Sequence, residues 1–273
     1  MIDDALATAA DRAIREAVHT EVLPRRRQLA AHEVTQKTGP HDIVTVADRR
    51  AEEHLTRSLT ALLPGSVVVG EESVHAEPAR YAALREDAPV WIVDPVDGTR
   101  QFVRGDDGFC TLVALAHHGQ VLASWTYAPV PELMAVARLH GGALLNGEAL
   151  HSGSPSADRA LRVATSHPDF TTPAQKQALA ALNTEGVQVR PGASAGLEYL
   201  RVARGELDAV AFSWELAWDH AAGLLLVAEA GGASATLAGE PFRLAGGNVL
   251  PFSAARDAGT LRRILALLQD GAE

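Results

Sequence analysis

Trp91-Ile92-Val93-Asp94-Pro95-Val96-Asp97-Gly98-Thr99 decides how the rest of the 273-residue chain is read. Val90 to Val93 is an apolar run of the kind a buried strand uses, and it ends on an acid followed by proline. Asp94 and Asp97 stand three apart with Pro95 fixing φ between them, so both carboxylates can converge on one place while the carbonyl of Val96 offers another oxygen. Gly98 and Thr99 read as a turn entering a helix, where unpaired N–H groups can face a phosphate. Acids held this close repel one another unless a cation sits among them, and hard oxygen donors suit Mg²⁺.

Two other segments bring acids to comparable positions. Val67-Val68-Val69 is a short strand running into Gly70-Glu71-Glu72-Ser73, and Trp218-Asp219-His220 precedes the apolar run Ala221 to Val227, which puts Asp219 at the N-cap or first turn of a helix. Taken singly, Glu71 is compatible with a solvated acid, Asp94 and Asp97 with turn formers, and Asp219 with a helix cap. Their conjunction in one chain points to metal-assisted hydrolysis of a phosphate ester. His220 reads as a packed, hydrogen-bonded histidine, and Cys110, the one cysteine, as a small buried side chain in a strand.

Working outward, Leu6, Ala10, Ala13, Ile14 and Ala17 share one helical face, predicting an amphipathic helix within residues 5–30 that Pro24 kinks or ends. Thr35 to His41 reads as a polar loop, and Asp48 to Leu63 as a helix stopped by Pro64-Gly65. Two or three strands follow between Phe109 and Ala137. The polar stretch His151 to Arg159 is the best boundary, dividing an α+β half, 1–155, with most of the acids from an α/β half, 156–273, that supplies Asp219 and part of the substrate pocket. In the second half, strands at Leu161 to Thr165, Val187 to Arg190 and Leu207 to Phe212 alternate with helices near 173–182, 195–203 and 219–230, with a last helix near 260–268.

A formal charge of −10 argues against nucleic acid and anionic lipid as partners, and it is awkward for an anionic substrate unless cations bridge the two. No stretch approaches the roughly 18 apolar residues of a membrane span and the start Met1-Ile2-Asp3-Asp4 is not a leader, so the expectation is a cytoplasmic protein. The chain has no G-x-G-x-x-G, no P-loop and no G-x-S-x-G.

Four blocks in order carry a more specific message. They are Asp42-Ile43-Val44-Thr45-Val46-Ala47-Asp48; Gly70-Glu71-Glu72-Ser73; Trp91 through Thr99 with Phe102 and Val103; and Trp218-Asp219-His220-Ala221-Ala222-Gly223 with Glu229-Ala230-Gly231-Gly232. The chain resembles the inositol monophosphatase family, over about residues 5–270. The resemblance implies an α/β fold of alternating layers, an α-β-α-β-α sandwich. It implies a first Mg²⁺ on Glu71, Asp94 and the Val96 carbonyl, a second on Asp94, Asp97 and Asp219, and a further weak one recruited by the segment with Lys37, which closes over the site. It also implies that Thr99, hydrogen-bonded to Asp48, activates a water. Phosphate would lie against Gly98 and Thr99, and Ala193-Ser194-Ala195 would border the sugar pocket.

The chain departs from the family pattern at Phe212, where inositol-specific members commonly carry a glutamate that binds sugar hydroxyls, and Glu215 is the candidate substitute from the adjacent loop. Ala193 stands where the family often has glycine. The implied substrates are small phosphorylated metabolites: inositol phosphate, sugar phosphate or histidinol phosphate. The alternatives are a 3′-nucleotidase acting on adenosine 3′,5′-bisphosphate and a catalytically silent regulatory protein on the same fold. Lithium inhibition and a homodimer complete the implied properties.

Overall fold

A computed structural model describes residues 2–39, 42–156 and 158–271. Helix α1 (Asp4–Ala17) continues through a π-helical turn, Val18–Val22, and a 3-10 turn, Leu23–Arg25, so the predicted first helix widens, then tightens, and ends one residue past Pro24. Strands β1 (Val34–Gly39) and β2 (Asp42–Thr45) form an antiparallel pair. The segment read as a loop from Thr35 is therefore strand as far as Gly39, because backbone pairing with β2 orders a sequence that has no apolar alternation of its own. Pro40 and His41 lie outside the described residues.

Helix α2 (Val46–Leu62), strand β3 (Val67–Gly70), helix α3 (Glu71–Ala76), strand β4 (Val90–Asp97), helix α4 (Thr99–Arg104) and strands β5 (Cys110–His117), β6 (Gln120–Ala128), β7 (Leu133–Arg138), β8 (Gly142–Leu145) and β9 (Glu148–Ala149) follow. Then come β10 (Leu161–Thr165), α5 (Pro173–Ala180), β11 (Val187–Pro191), α6 (Ala195–Ala203), β12 (Ala209–Phe212), α7 (Ala217–Glu229), β13 (Ala233–Thr236), β14 (Phe252–Ala255) and α8 (Ala258–Asp270). The seven-stranded sheet runs β3 to β9 in chain order, with only β3 and β4 parallel. The five-stranded sheet has the order β11-β10-β12-β14-β13, parallel at β11-β10-β12 and antiparallel beyond.

Helices α1 and α2 cover one face of the larger sheet, burying Ile14, Leu55 and Leu59 against Trp91 and Trp125. Helices α6 and α7 fill the space between the sheets, and α8 packs outside the smaller one on β14, where Ile264 and Leu268 meet Val163 and Ala211. The result is the α-β-α-β-α order, an α/β layered fold. Helix α7 is apolar almost all round because it is sandwiched: Trp218, Ala221 and Ala222 join the core of the larger sheet, while Leu225, Leu226 and Val227 join the core around Phe212 and Phe252. Among the described residues no helix is long and apolar enough to cross a membrane.

Candidate metal centre

Alternation along a strand sends residues three apart to opposite faces. Strand β4 escapes this rule because its pairing with β5 shifts register between Asp94, opposite Leu112, and Asp97, opposite Cys110. One extra residue is absorbed at Pro95-Val96, so Asp94 and Asp97 come to the same side of the sheet. The Val96 N–H donates to Asp94 Oδ1 at 3.0 Å, and Thr111 Oγ1 donates to the Pro95 carbonyl at 2.7 Å, fixing the bulge.

Asp219, in the first turn of α7, arrives from between the sheets, and one donor oxygen from each of Asp94, Asp97 and Asp219 lies within 4.8 Å of the others. Burial, and then the charges of Glu71, Asp97 and Asp219, push the Asp94 carboxyl well above the ordinary range. Asp219 is pushed up by burial and then by Asp97 and Glu71, against a hydrogen bond from Trp214 Nε1 at 2.6 Å. Three hard oxygen donors this close, two of them raised by the charges of their acidic neighbours, have the chemistry a divalent cation such as Mg²⁺ satisfies, so the donor set fits.

Asp97 is held differently. Ser194, the N-cap of α6, donates its hydroxyl to Asp97 Oδ2 at 2.7 Å while accepting the Leu197 N–H at 3.2 Å, and the amides of Ala195 and Gly196 donate at 3.1 and 2.6 Å. Gly196 is required for this approach, since a Cβ there would lie 2.4 Å from Leu112 Cδ2 and 2.7 Å from Cys110 Sγ. Burial raises Asp97, and these donors pull it back. Replacing Ser194 by alanine removes a charge-directed hydrogen bond inside the fold, so about 2 kcal/mol of stability should be lost. A urea midpoint for Ser194→Ala equal to that of the wild type would refute this.

Glu71 lines the same cavity of about 520 Å³ as the three aspartates, together with Val96, Gly98 and Thr99. Its carboxylate meets Lys37 Nζ at 2.7 Å, and the same ammonium reaches Glu72 at 2.6 Å. Burial works against the Lys37 charge, but Glu71 and Glu72 outweigh it and hold the ammonium above its ordinary range. Glu72 is raised to about 8 by burial and by Glu71. Glu52 of α2 accepts the amides of Glu72 and Ser73, each at 2.7 Å, and so anchors the turn that presents Glu71.

Thr99 Oγ1 lies 3.2 Å from Asp48 Oδ1 and 2.9 Å from the Val96 carbonyl. Asp48, in the first turn of α2, accepts the amide and hydroxyl of Thr45, and burial raises it to about 6. Gly98 has φ +93, and a Cβ on it would meet the Gly108 carbonyl at 2.8 Å, so glycine is needed to turn β4 into α4.

Ala193, Ser194, Ala195 and Phe212 also line the cavity. Glu215 does not: its carboxylate accepts the backbone amide and Nδ2 of Asn248, at 2.8 and 2.9 Å. His220 is fully buried between the Tyr199 hydroxyl, 3.0 Å from Nδ1, and the Trp214 carbonyl, 3.1 Å from Nε2, and burial drives its pKa down to about 3. It is a neutral packing residue. Sequence reasoning missed Glu52, Trp214 and the grip of Ser194 on Asp97. Only the place of Ser194, just before the helix expected from about Ala195, hinted at the last.

The model of the inositol monophosphatase family matches residues 3–268. The inositol-1-monophosphatase of Rhizobium meliloti is 33% identical over 218 residues, covering 78% of this chain and 79% of that protein. The fructose-1,6-bisphosphatase/inositol-1-monophosphatase of Thermotoga maritima is 31% identical over 201 residues, 73% of each. Among solved structures, the extragenic suppressor protein suhB of Bartonella henselae superposes with a TM-score of 0.81 at 25% identity, covering 98% of this chain and 100% of that one.

Proposed function

Because this chain belongs to the inositol monophosphatase family, we propose that it hydrolyses a small phosphomonoester to an alcohol and inorganic phosphate with Mg²⁺ as cofactor. The observation that carries this reading is the convergence of Asp94, Asp97 and Asp219 on one cavity also lined by Glu71 and Thr99. Glu71, Asp94, Asp97, Asp219 and the Val96 carbonyl would hold two or three Mg²⁺ ions. Bound there, Mg²⁺ supplies charge stabilisation to the transferring phosphoryl group and makes water acidic enough to react near neutral pH.

The chain's own residues do the rest. Gly98 and Thr99, on the cavity wall where β4 turns into α4, lie against the phosphate. Water attacks phosphorus, the bond to the alcohol oxygen breaks, and the alcohol leaves with a proton from solvent. The attacking water gives its proton to Thr99 Oγ1 as Thr99 passes its own to Asp48 Oδ1, 3.2 Å away, and a carboxyl raised to about 6 can take that proton near neutrality. Trp214 fixes the rotamer of Asp219, and α6 fixes that of Asp97.

Phosphate release from a panel of about twenty small phosphomonoesters with Mg²⁺ tests the reading, and release from none of them overturns it. Thr99→Val keeps the shape and removes the hydroxyl, so kcat should fall about 10²-fold with little change in KM. An unchanged kcat would remove Thr99 from the mechanism.

A further inference from the structure

Each aspartate of the cluster has an oxygen tied to a donor of the protein. The Val96 amide donates to Asp94 Oδ1 at 3.0 Å. Asp97 has both oxygens engaged, Oδ1 by the Ala195 amide at 3.1 Å and Oδ2 by the Ser194 hydroxyl and the Gly196 amide at 2.7 and 2.6 Å. At Asp219 the donor is an aromatic side chain from the loop between β12 and α7: the Trp214 indole Nε1 reaches Oδ2 at 2.6 Å.

The indole is held for this contact from several directions. Its ring lies 4.4 Å from that of Phe212 and 5.0 Å from that of His220, centroid to centroid. The Trp214 carbonyl accepts His220 Nε2 at 3.1 Å, and the other nitrogen of that imidazole meets the Tyr199 hydroxyl at 3.0 Å, so the buried histidine fixes the backbone that carries the ring. Trp214 also lines the cavity with the aspartates. An indole has one donor and no acceptor, so this side chain presents only a proton to Asp219 and cannot itself be a ligand.

That proton bears on which cation the carboxylates accept. An ion that takes both oxygens of one carboxylate has to displace a proton already directed at either of them. Mg²⁺ keeps strict octahedral geometry with one or two carboxylates and several waters, whereas Ca²⁺ takes about six to eight oxygens and often both from one carboxylate. We infer that Trp214 is a positioning residue that sets the ion selectivity of the cluster: by holding Asp219 Oδ2 it leaves one oxygen free and favours Mg²⁺ over Ca²⁺. The inference rests on the metal centre of the phosphatase reading and not on the reaction.

The test titrates the chelator-stripped full chain, with no ester present, with Mg²⁺ and with Ca²⁺ by calorimetry. Trp214→Phe keeps a ring against Phe212 and His220 and removes the N–H, so the ratio of Ca²⁺ to Mg²⁺ affinity should rise about tenfold, the scale of one hydrogen bond to a charged group. Trp214→Gln carries an amide N–H as many bonds from the backbone as the indole Nε1, and it should return the ratio towards that of the wild type. A packing role alone predicts the opposite order, because glutamine loses the ring. In the wild type, the Trp214 indole N–H resonance should keep its hydrogen-bonded shift when Mg²⁺ binds, a readout that requires neither variant to fold. A Trp214→Phe ratio equal to that of the wild type, or loss of that shift in Mg²⁺, overturns the inference. The expected change in ratio with no release from any phosphomonoester upholds it while removing the phosphatase reading. Binding of neither ion by the wild type overturns both.

Discussion

Asp94→Asn should abolish Mg²⁺-dependent phosphate release, by about 10³-fold or more, while raising the melting temperature of the metal-free protein near pH 8. The two effects have one origin. Asp94 is the acid at the centre of the cluster, and burial together with Glu71, Asp97 and Asp219 disfavours its ionised form. Asparagine keeps the shape and keeps an oxygen for the Val96 amide, which now donates to Asp94 Oδ1, but it removes the charge. A folded chain without its cation is relieved of repulsion, and a chain that needs the cation loses a ligand shared by two proposed positions. Release rates and thermal melts on the same preparation measure both. A variant that keeps metal-dependent release within tenfold of the wild type would show that the aspartate cluster is not the reacting centre.

The second large effect is on stability against pH. A carboxyl whose folded pKa lies above its unfolded value favours the fold fully below the unfolded pKa, and that advantage is lost as pH rises through the folded pKa. The unfolded values lie near 4, Asp48 is raised to about 6 and Glu72 to about 8, and Asp94 and Asp219 are raised as well. The metal-free protein should therefore lose stability steadily between about pH 4 and pH 8. Asp208 runs the other way: burial raises it, but Arg159, Arg162 and Arg256 overcome that and hold it low, so its contribution disappears only below about pH 4. The melting temperature in chelator should drop on the order of 10 °C from pH 5 to pH 8, and millimolar Mg²⁺ should restore much of it at pH 8, because an ion at the proposed centre would bind the folded, deprotonated acids. A metal-free protein that melts as high at pH 8 as at pH 5 would contradict this account of the site's electrostatics.

What the sequence made legible were features carried by local chemistry. Val90 to Val93 is apolar without a break, and it is a buried strand. Pro64-Gly65 stops α2 within a residue of the expected place, and Gly98-Thr99 opens α4. Features set by distant partners were not legible. Val34 to Gly39 has no apolar alternation, and it is strand because β2 lies beside it. Strands β13 and β14 are short and rich in alanine and serine, and each is ordered by the other and by β12. Val67 to Val69 was legible as a strand running into Gly70-Glu71-Glu72-Ser73, but not the helix that begins at Glu71, because Glu52, twenty residues earlier than Glu72, accepts the amides that start it.

The site followed the same division. Asp94, Asp97, Asp219 and Thr99 stood out because proline, glycine and helix-start positions flank them. The reason Asp94 and Asp97 face the same way is the register shift against β5, which requires knowledge of the partner strand. Ser194 was expected to border the substrate; it lines the cavity, and its hydroxyl is directed at Asp97.

That last contact gives Asp97 a double duty. It belongs to a strand of the larger sheet, and all of its backbone donors come from the first turn of a helix that follows β11 of the smaller one. The proposed metal centre is thus also a point at which the two sheets are tied together, and whatever changes the charge on this one side chain is felt as a change in how firmly they are joined.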